Sequence, residues 1–244
     1  DEKSEILMFE RGDYISFANC GLPYHVSGRI KERSSLLLQT PEGFWSRFRV
    51  EVRLSNEVMA IDTQHKRLQV RNLKTDEEYA ESYDCLILSP GAYPFVPPIE
   101  GSGAAIFMTL RDIPDMDAMI ARIENHSVKE AVVIGGGFIG VEIAENLIAR
   151  GIKTHLVEML AQVMMPFDPE MANIIQIGLA GGGVCLHLSD SVKRIVGDAQ
   201  GKVILDSGTE LTAELVVSAV GVRPDIQLAR EAGLKIGATG GIAV

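Results

Sequence analysis

The sequence is short of cysteine, tryptophan and basic side chains: 244 residues include three cysteines, one tryptophan, and 23 lysines and arginines against 33 acidic residues. The formal net charge is -10. No cluster of basic residues with interleaved aromatics stands out, so nucleic acid is not expected as a partner. No apolar run approaches the roughly 18 residues of a bilayer-crossing helix. The opening "DEKSE" has neither the basic flank nor the apolar core of a signal peptide, so a membrane is not expected either. Cys20, Cys85 and Cys185 are odd in number and far apart, which argues against a disulfide scaffold and for a reducing compartment, the cytoplasm. Asn125-His126-Ser127 matches a glycosylation acceptor, but nothing else points to secretion. No internal repeat or low-complexity tract is present.

What is present is a soluble globular composition, 46% hydrophobic and 23% charged, long enough for one large or two ordinary domains. "ILMF" at Ile6 to Phe9, closed by Glu10, reads as a buried strand. The Cys20 loop and a helix-like stretch follow, ahead of "QTPEGFWSRFRV". Strands then alternate with turns at Asp62 to His65 and Lys74 to Glu77, ending in an apolar strand at Cys85 to Leu88. Pro94, Pro97, Pro98, Gly101 and Gly103 break the pattern and mark a domain boundary. Beyond it, "DIPDMDAMIARIEN" is expected to be helical, and "EAVVIGG", "GFIGVEIAENLIARG" and "KTHLVEM" form a strand, a helix and a strand, a βαβ unit. A helix at "DPEMANIIQIGLAGGG", strands near "VCLHLSDSVKRIV", "KVILD" and "ELVVSAVG", and a short helix at "IQLAREAG" complete the pattern.

The strongest signal is "VVIGGGFIGVEIAENL". Gly135, Gly137 and Gly140 fit G-x-G-x-x-G between an apolar strand and an amphipathic helix. Gly135 allows the tight turn, Gly137 leaves room for a pyrophosphate, and Gly140 lets helix and strand pack closely. The helix N-terminus, with Phe138 and Ile139 in its first turn, offers unpaired N–H groups to phosphate. Ile139, Ile143 and Leu147 are expected to dock on the sheet. Glu158 closes the next strand, eighteen residues beyond Gly140, where an acid hydrogen-bonds ribose hydroxyls. Met159 and Leu160 follow with no Arg nearby, so NAD(H) is favoured over NADP(H). Glu10 ends a strand in the same way, without a glycine fingerprint before it.

Cys20, in "SFANCGLPYHVSG", has small and polar neighbours, and Pro23 suits the first turn of a helix whose N-terminus would favour a thiolate. Set against this, a lone cysteine often serves as a small buried hydrophobe. Both readings stay open, as does the role of His25. Cys85 and Cys185 lie in apolar runs and read as packing residues. No second cysteine follows Cys20 closely, so a redox cycle there must use a mixed disulfide, a persulfide or an oxidised sulfur.

Five stretches in order, "ERGDYISFANCGLPYH", "ILSPGAYPFVPPIEG", "VVIGGGFIGVEIAENL", "DPEMA" and "AVGVRPD", resemble the coenzyme A-disulfide reductases and NADH-dependent persulfide reductases, a branch of the single-cysteine pyridine nucleotide-disulfide oxidoreductases. The resemblance implies an α/β fold in which a Rossmann-like NAD(H)-binding domain, residues 101–226, is inserted in an FAD-binding domain formed by 1–100 and 227–244. It implies that Glu10 binds the FAD ribose, with Val58 near the adenine and Ser89, Pro90, Gly91 and Ala92 along the flavin. Cys20 would be the redox sulfur, and Ser16, Asn19 and Tyr24 would line the thiol substrate pocket. Phe138 would cover the flavin until NADH displaces it, Glu142 would contact the nicotinamide amide, and Gly221 and Pro224 would border that end of the cofactor. Coenzyme A is a further implied ligand, a small disulfide or persulfide the substrate, and a homodimer the state of the full-length enzyme. Electrons would pass from NADH to FAD and on to a sulfur–sulfur bond at Cys20. Family members begin with an FAD-binding glycine turn and end in a dimerisation domain. By that measure the chain is expected to be an FAD domain cut at both ends, holding FAD poorly. The alternatives are an NADH oxidase or peroxidase of the same superfamily, or a catalytically silent NAD-binding module.

Overall fold

The computed structural model describes residues 4–198 and 200–244. Asp1 to Lys3 of the opening acidic run therefore lie outside the described residues. The chain divides into two compact units. The first comprises Asp1–Ala18, Ser34–Tyr93 and Pro224–Val244, and the second Asn19–Arg33 and Pro94–Arg223.

In the first unit, strands Ile6–Glu10 and Val50–Leu54 pair in parallel. Strands Asn56–Asp62, Arg67–Asn72 and Glu78–Ser82 form an antiparallel meander. The two turns sit where the sequence places them, and side chains close both. Asp62 Oδ1 accepts the N–H groups of Gln64 and His65. Asn72 Oδ1 accepts those of Lys74 and Thr75. The core is Ile61, Leu68 and Val70, against which Phe9, Val58, Leu86, Leu88 and Leu228 pack.

Three expectations need correction here. Ile6 and Met8 are exposed, so the first strand buries one face rather than two. Cys85 to Leu88 keeps a strand's alternation, with Leu86 and Leu88 turned to the core. Ile87, however, is 89% exposed, Cys85 is exposed, and among the described residues no strand pairs with the segment. Apolar alternation without a ladder partner leaves extended chain, and the packing reading of Cys85 fails with it. Finally, "QTPEGFWSRFRV", read without an element of its own, carries a helix at Pro41–Phe48, in addition to helix Leu22–Val26 and the 3-10 turn Arg33–Leu36 that occupy the helix-like stretch before it. Thr40 caps helix Pro41–Phe48 by accepting Gly43 N–H at 3.1 Å, Pro41 occupies its first turn, and Arg49 ends it in the left-handed region at φ 56°. That is an ordinary start-and-stop signal.

The second unit is built on a parallel sheet of five strands, in the order Cys185–Leu188, Lys153–Glu158, Glu130–Ile134, Leu215–Ser218, Phe107–Met108. Its central strands are near-continuous apolar runs, with Val132, Val133, Leu156, Val216 and Val217 all buried, as a sheet covered on both faces requires. Helices Ile113–Asn125, Phe138–Ala149 and Pro169–Gly181 follow the expected segments. Asp112 caps the first by accepting Asp115 N–H at 2.9 Å. An antiparallel sheet of Val192–Val196, Gly201–Leu205 and Glu210–Ala213 completes the unit. Its Ile195, Val203 and Leu205 share one core with Val132 and Val157. Among the described residues, no helix is long and apolar enough to cross a membrane.

His155 and His187, on neighbouring strands, place Nδ1 and Nε2 3.0 Å apart. One ring nitrogen must donate and the other accept, so at least one ring is neutral. Burial holds both rings below the ordinary histidine range, and for His155 the charge of His187 adds to it. The folded pair thus binds fewer protons than the unfolded chain just below pH 6.5, where stability must fall as pH falls. The melting temperature is expected to drop by a few degrees between pH 7.5 and 5.5, and a His187→Gln variant to flatten that slope, as read by circular dichroism.

Candidate dinucleotide and thiol site

The glycine turn performs the three tasks its spacing suggests. Gly135 has φ +101°, and a β-carbon there would lie 2.7 Å from the Ala219 carbonyl oxygen. At Gly140 a β-carbon would meet the Gly135 carbonyl oxygen at 1.9 Å, so helix and strand approach as closely as two backbones can. A β-carbon on Gly137 would meet nothing within 4 Å beyond its own chain neighbours, so it would point into open space. Gly137 is also the N-cap of helix Phe138–Ala149 and offers no side-chain cap, so the first N–H groups of the helix face that open space. An anion is the partner such a terminus suits.

Glu158, the last residue of its strand, is tied to this turn. Its Oε2 accepts Gly136 N–H at 2.6 Å and its Oε1 accepts Leu160 N–H at 2.8 Å. Glu10 repeats the second of these contacts in the other unit: at the end of a parallel strand, its Oε1 accepts Gly12 N–H at 2.7 Å. Both acids are thereby held at the carboxyl end of a parallel strand, the edge where α/β sheets bind ligands.

Residues that sequence reasoning passed over also frame the turn. Met164 donates its N–H to the Gly136 carbonyl at 2.7 Å. A β-carbon at Gly136 would press on Val163 at 2.9 Å. Phe167 meets the Phe138 ring edge-on at 6.0 Å. The run "VMMPF" carries these contacts, and its only local signal is its apolar character ahead of a helix cap at Asp168. Phe138 and Ile139 are both exposed. Ile139 is therefore no docking residue; the face on the sheet is Gly140, Ile143, Ala144 and Leu147. Those four follow the i, i+3, i+4, i+7 stripe, which Ile139 misses by one position. Glu142 is half-buried, and burial, then the neighbouring Glu145, pushes its carboxyl above the usual range.

Cys20 lies in a one-turn 3-10 segment, Asn19–Gly21, with its thiol exposed. Helix Leu22–Val26 follows directly, with Pro23 in its first turn. Tyr24 is half-buried with the Arg29 guanidinium 5.9 Å from its ring centre. His25 Nδ1 lies 2.7 Å from the Ile30 carbonyl, so that nitrogen carries the proton and fastens the following loop. Cys20, Asn19, Tyr24, the glycine turn, Glu142, Glu158 and Gly221 all belong to the second unit. Ser16, Glu10, Val58, Ser89, Gly91 and Pro224 belong to the first. There Val58 packs beside the Ile61 core, and Gly91, at φ +79°, accepts Asp225 N–H at 3.0 Å. Gly221, at φ +108°, accepts Phe95 N–H at 2.9 Å.

A strand, a glycine turn, an uncapped helix and an acid closing the next strand define a dinucleotide-binding α/β protein. The family of pyridine nucleotide-disulphide oxidoreductases matches residues 1–244, and the chain belongs to that family. It is 34% identical over 234 residues to an NADH oxidase of Methanocaldococcus jannaschii, covering 96% of this chain and 52% of that protein. It is 32% identical over 244 residues to a coenzyme A disulfide reductase of Staphylococcus aureus, covering 100% of this chain and 54% of that protein. Among solved structures, reduced Bacillus anthracis CoADR-RHD superposes with a TM-score of 0.95 at 46% identity, covering 98% of this chain and 43% of that one. A NAD-dependent persulfide reductase from A. fulgidus superposes with a TM-score of 0.93 at 33% identity, covering 98% of this chain and 45% of that one. The chain thus spans about half the length of the relatives it matches.

Two neighbouring glycines should separate binding from folding. Gly140→Ala is expected to cost about 3 kcal/mol of stability through the backbone clash. Gly137→Ala should stay within about 1 kcal/mol of the parent yet bind NADH at least tenfold more weakly, because its methyl group enters the open space at the helix N-terminus. Chemical denaturation and NADH titration by fluorescence check both.

Proposed function

We propose that the chain carries the dinucleotide and thiol machinery of a flavin-dependent NADH:disulfide or persulfide oxidoreductase acting on a small thiol-derived substrate such as coenzyme A disulfide. The single observation that carries this reading is an exposed cysteine, without a neighbouring partner thiol, on the same unit as a built dinucleotide turn. Names of relatives support it: a coenzyme A disulfide reductase and a persulfide reductase lie among them.

NAD(H) and FAD, when bound, supply the hydride transfer and the two-electron relay. The rest belongs to the chain. Gly137 and the uncapped helix receive the NADH pyrophosphate, Glu158 the adenosine ribose, and Glu142, whose carboxyl burial pushes above the usual range, the nicotinamide amide. Phe138 and Ile139 lie at the same turn, with Gly221 and Pro224 at the nicotinamide end. Glu10, holding the same strand-end geometry as Glu158, receives the FAD ribose, with Val58, Ser89 and Gly91 along that cofactor. The family's bounds give 1–100 and 227–244 to the FAD part and 101–226 to the NAD part, with the Cys20 segment, Asn19–Arg33, packed with the NAD unit in this chain. The Cys20 thiolate attacks the substrate sulfur–sulfur bond, forming a mixed disulfide and expelling one thiolate. Two electrons originating in NADH then cleave that mixed disulfide, releasing the second thiolate and restoring Cys20. Ser16, Asn19 and Tyr24 hold the substrate. The free state of all three cysteines fits a cytoplasmic setting, and a homodimer of the complete enzyme belongs to the same reading.

The NADH oxidase among the relatives favours a second reading, in which Cys20 cycles through a sulfenic acid and the acceptor is oxygen or peroxide. With FAD supplied, coenzyme A disulfide, polysulfide, peroxide and oxygen are offered as acceptors and NADH consumption is followed at 340 nm. Turnover with the disulfide or polysulfide supports the proposal; turnover with oxygen or peroxide alone would select the oxidase reading. Cys20→Ser should lower disulfide reduction more than a hundredfold while NADH binding is unchanged, and full retention of activity would defeat the mechanism. Glu158→Ala combined with Met159→Arg should shift cofactor preference toward NADPH by about tenfold or more, because a 2′-phosphate then meets a cation in place of a carboxylate.

A further inference from the structure

The segment that carries Cys20 leaves the first unit after Ala18 and returns to it at Ser34, and for those residues its neighbours are those of the dinucleotide unit. Leu22, Pro23 and Val26 are buried, and their short helix packs against helices Ile113–Asn125 and Phe138–Ala149. Three arginines add polar links. Arg29 Nη1 donates to Glu145 Oε1 at 3.1 Å, both side chains being half exposed. Arg33 grips Asp117 through Nε at 2.9 Å and Nη2 at 2.7 Å. Arg150, at the C-cap of the dinucleotide helix, donates Nη1 to the Val26 carbonyl and Nη2 to Glu124 Oε1 at 2.8 Å.

These links are not equal. The Arg29 and Arg33 pairs join side chains exposed by 37% or more, where water competes. Arg150 is 22% exposed, and its target belongs to a residue that is 2% exposed. The closing carbonyls of the short helix are otherwise satisfied within the segment. Pro23 accepts from Ser27 N–H, Tyr24 from Ser27 Oγ and Ile30 N–H, and His25 from Gly28 N–H. The Val26 carbonyl takes its proton from Arg150, across 124 positions of sequence. A charged donor at a helix C-terminus also meets the negative end of its dipole. Glu124 holds the other prong of the guanidinium, which fixes the direction of the fork.

The geometry points to Arg150 as a positioning residue for the Cys20 sulfur: it locks the short helix that directly follows Cys20 to the C-terminal end of the helix whose N-terminus receives the dinucleotide. One helix thereby sets the place of both the nucleotide phosphates and the sulfur. The inference rests on the proposed reductase function for its catalytic consequence, though not for the clamp itself.

The test compares Arg150→Met, Arg150→Lys and Glu124→Gln with the parent chain, by amide hydrogen exchange and by NADH-dependent reduction of coenzyme A disulfide with FAD supplied. In Arg150→Met, amides between Leu22 and Ile30 should exchange at least tenfold faster, while those of Glu130–Ile134 and Lys153–Glu158 stay unchanged. kcat should fall about tenfold with KM for NADH unaltered, and Arg150→Lys, which keeps a charged donor, should recover most of both. Glu124→Gln should give a milder change of about threefold in the same amides, and it decides the matter should Arg150→Met fail to fold. Unchanged exchange between Leu22 and Ile30, or an equal rise throughout the chain, would overturn the clamp, as would a loss seen in KM for NADH alone. If the parent chain reduces no disulfide, the functional reading fails, and the exchange result still decides the role of Arg150.

Discussion

The missing β-carbon at position 140 is the constraint on which the second unit depends. With a hydrogen in its place, helix Phe138–Ala149 lies against the Gly135 carbonyl at a distance no other residue permits. That contact sets the helix on the sheet through Ile143, Ala144 and Leu147. It also aims the helix N-terminus, free of any side-chain cap, at the space beside Gly137. Glu158 then braces the turn from the neighbouring strand through Gly136. The site is therefore built from backbone and one carboxylate, on elements whose interior is buried. A phosphate-sized anion meets dipoles that need little rearrangement to receive it.

The dinucleotide half was the most legible part of the sequence. A period near 3.6 flanked by apolar runs, a glycine spacing with one physical solution and an acid at a fixed offset are all local signals, and the βαβ unit formed where it was expected, whereas the short edge strands Phe107–Met108 and Glu210–Ala213 were not anticipated. Where the reading failed, a non-local partner decided the outcome. Cys85 to Leu88 has the alternation of a strand, but a strand exists only when another supplies its ladder, and none of the described residues does. Ile6 and Met8 look like core residues by composition, and only the absence of cover on one face exposes them. Ile139 stands four positions before Ile143 and so reads as part of the same stripe, but it lies in the helix's first turn, where it is exposed.

The contacts that bring the site together left no trace in the sequence. Arg150 to Val26, Arg33 to Asp117 and Arg29 to Glu145 span 124, 84 and 116 positions. An arginine at a helix end reads as an ordinary surface cation, and nothing nearby tells which carbonyl it will meet. The helix at Pro41–Phe48 is a different kind of miss: Thr40, Pro41 and Glu42 announced it locally, but its aromatic residues and the glycine inside it masked the period.

The tether between Arg150 and the Cys20 segment also sets an order of events during synthesis. Cys20 leaves the ribosome about 130 residues before the arginine that holds the helix following it. At roughly 5 to 20 residues per second, this is an interval on the order of 6 to 26 seconds. For most of that interval the sulfur is attached to a segment whose first packing partner, helix Ile113–Asn125, does not yet exist. The thiol is thus among the first reactive groups of the chain to emerge and among the last to be fixed in place.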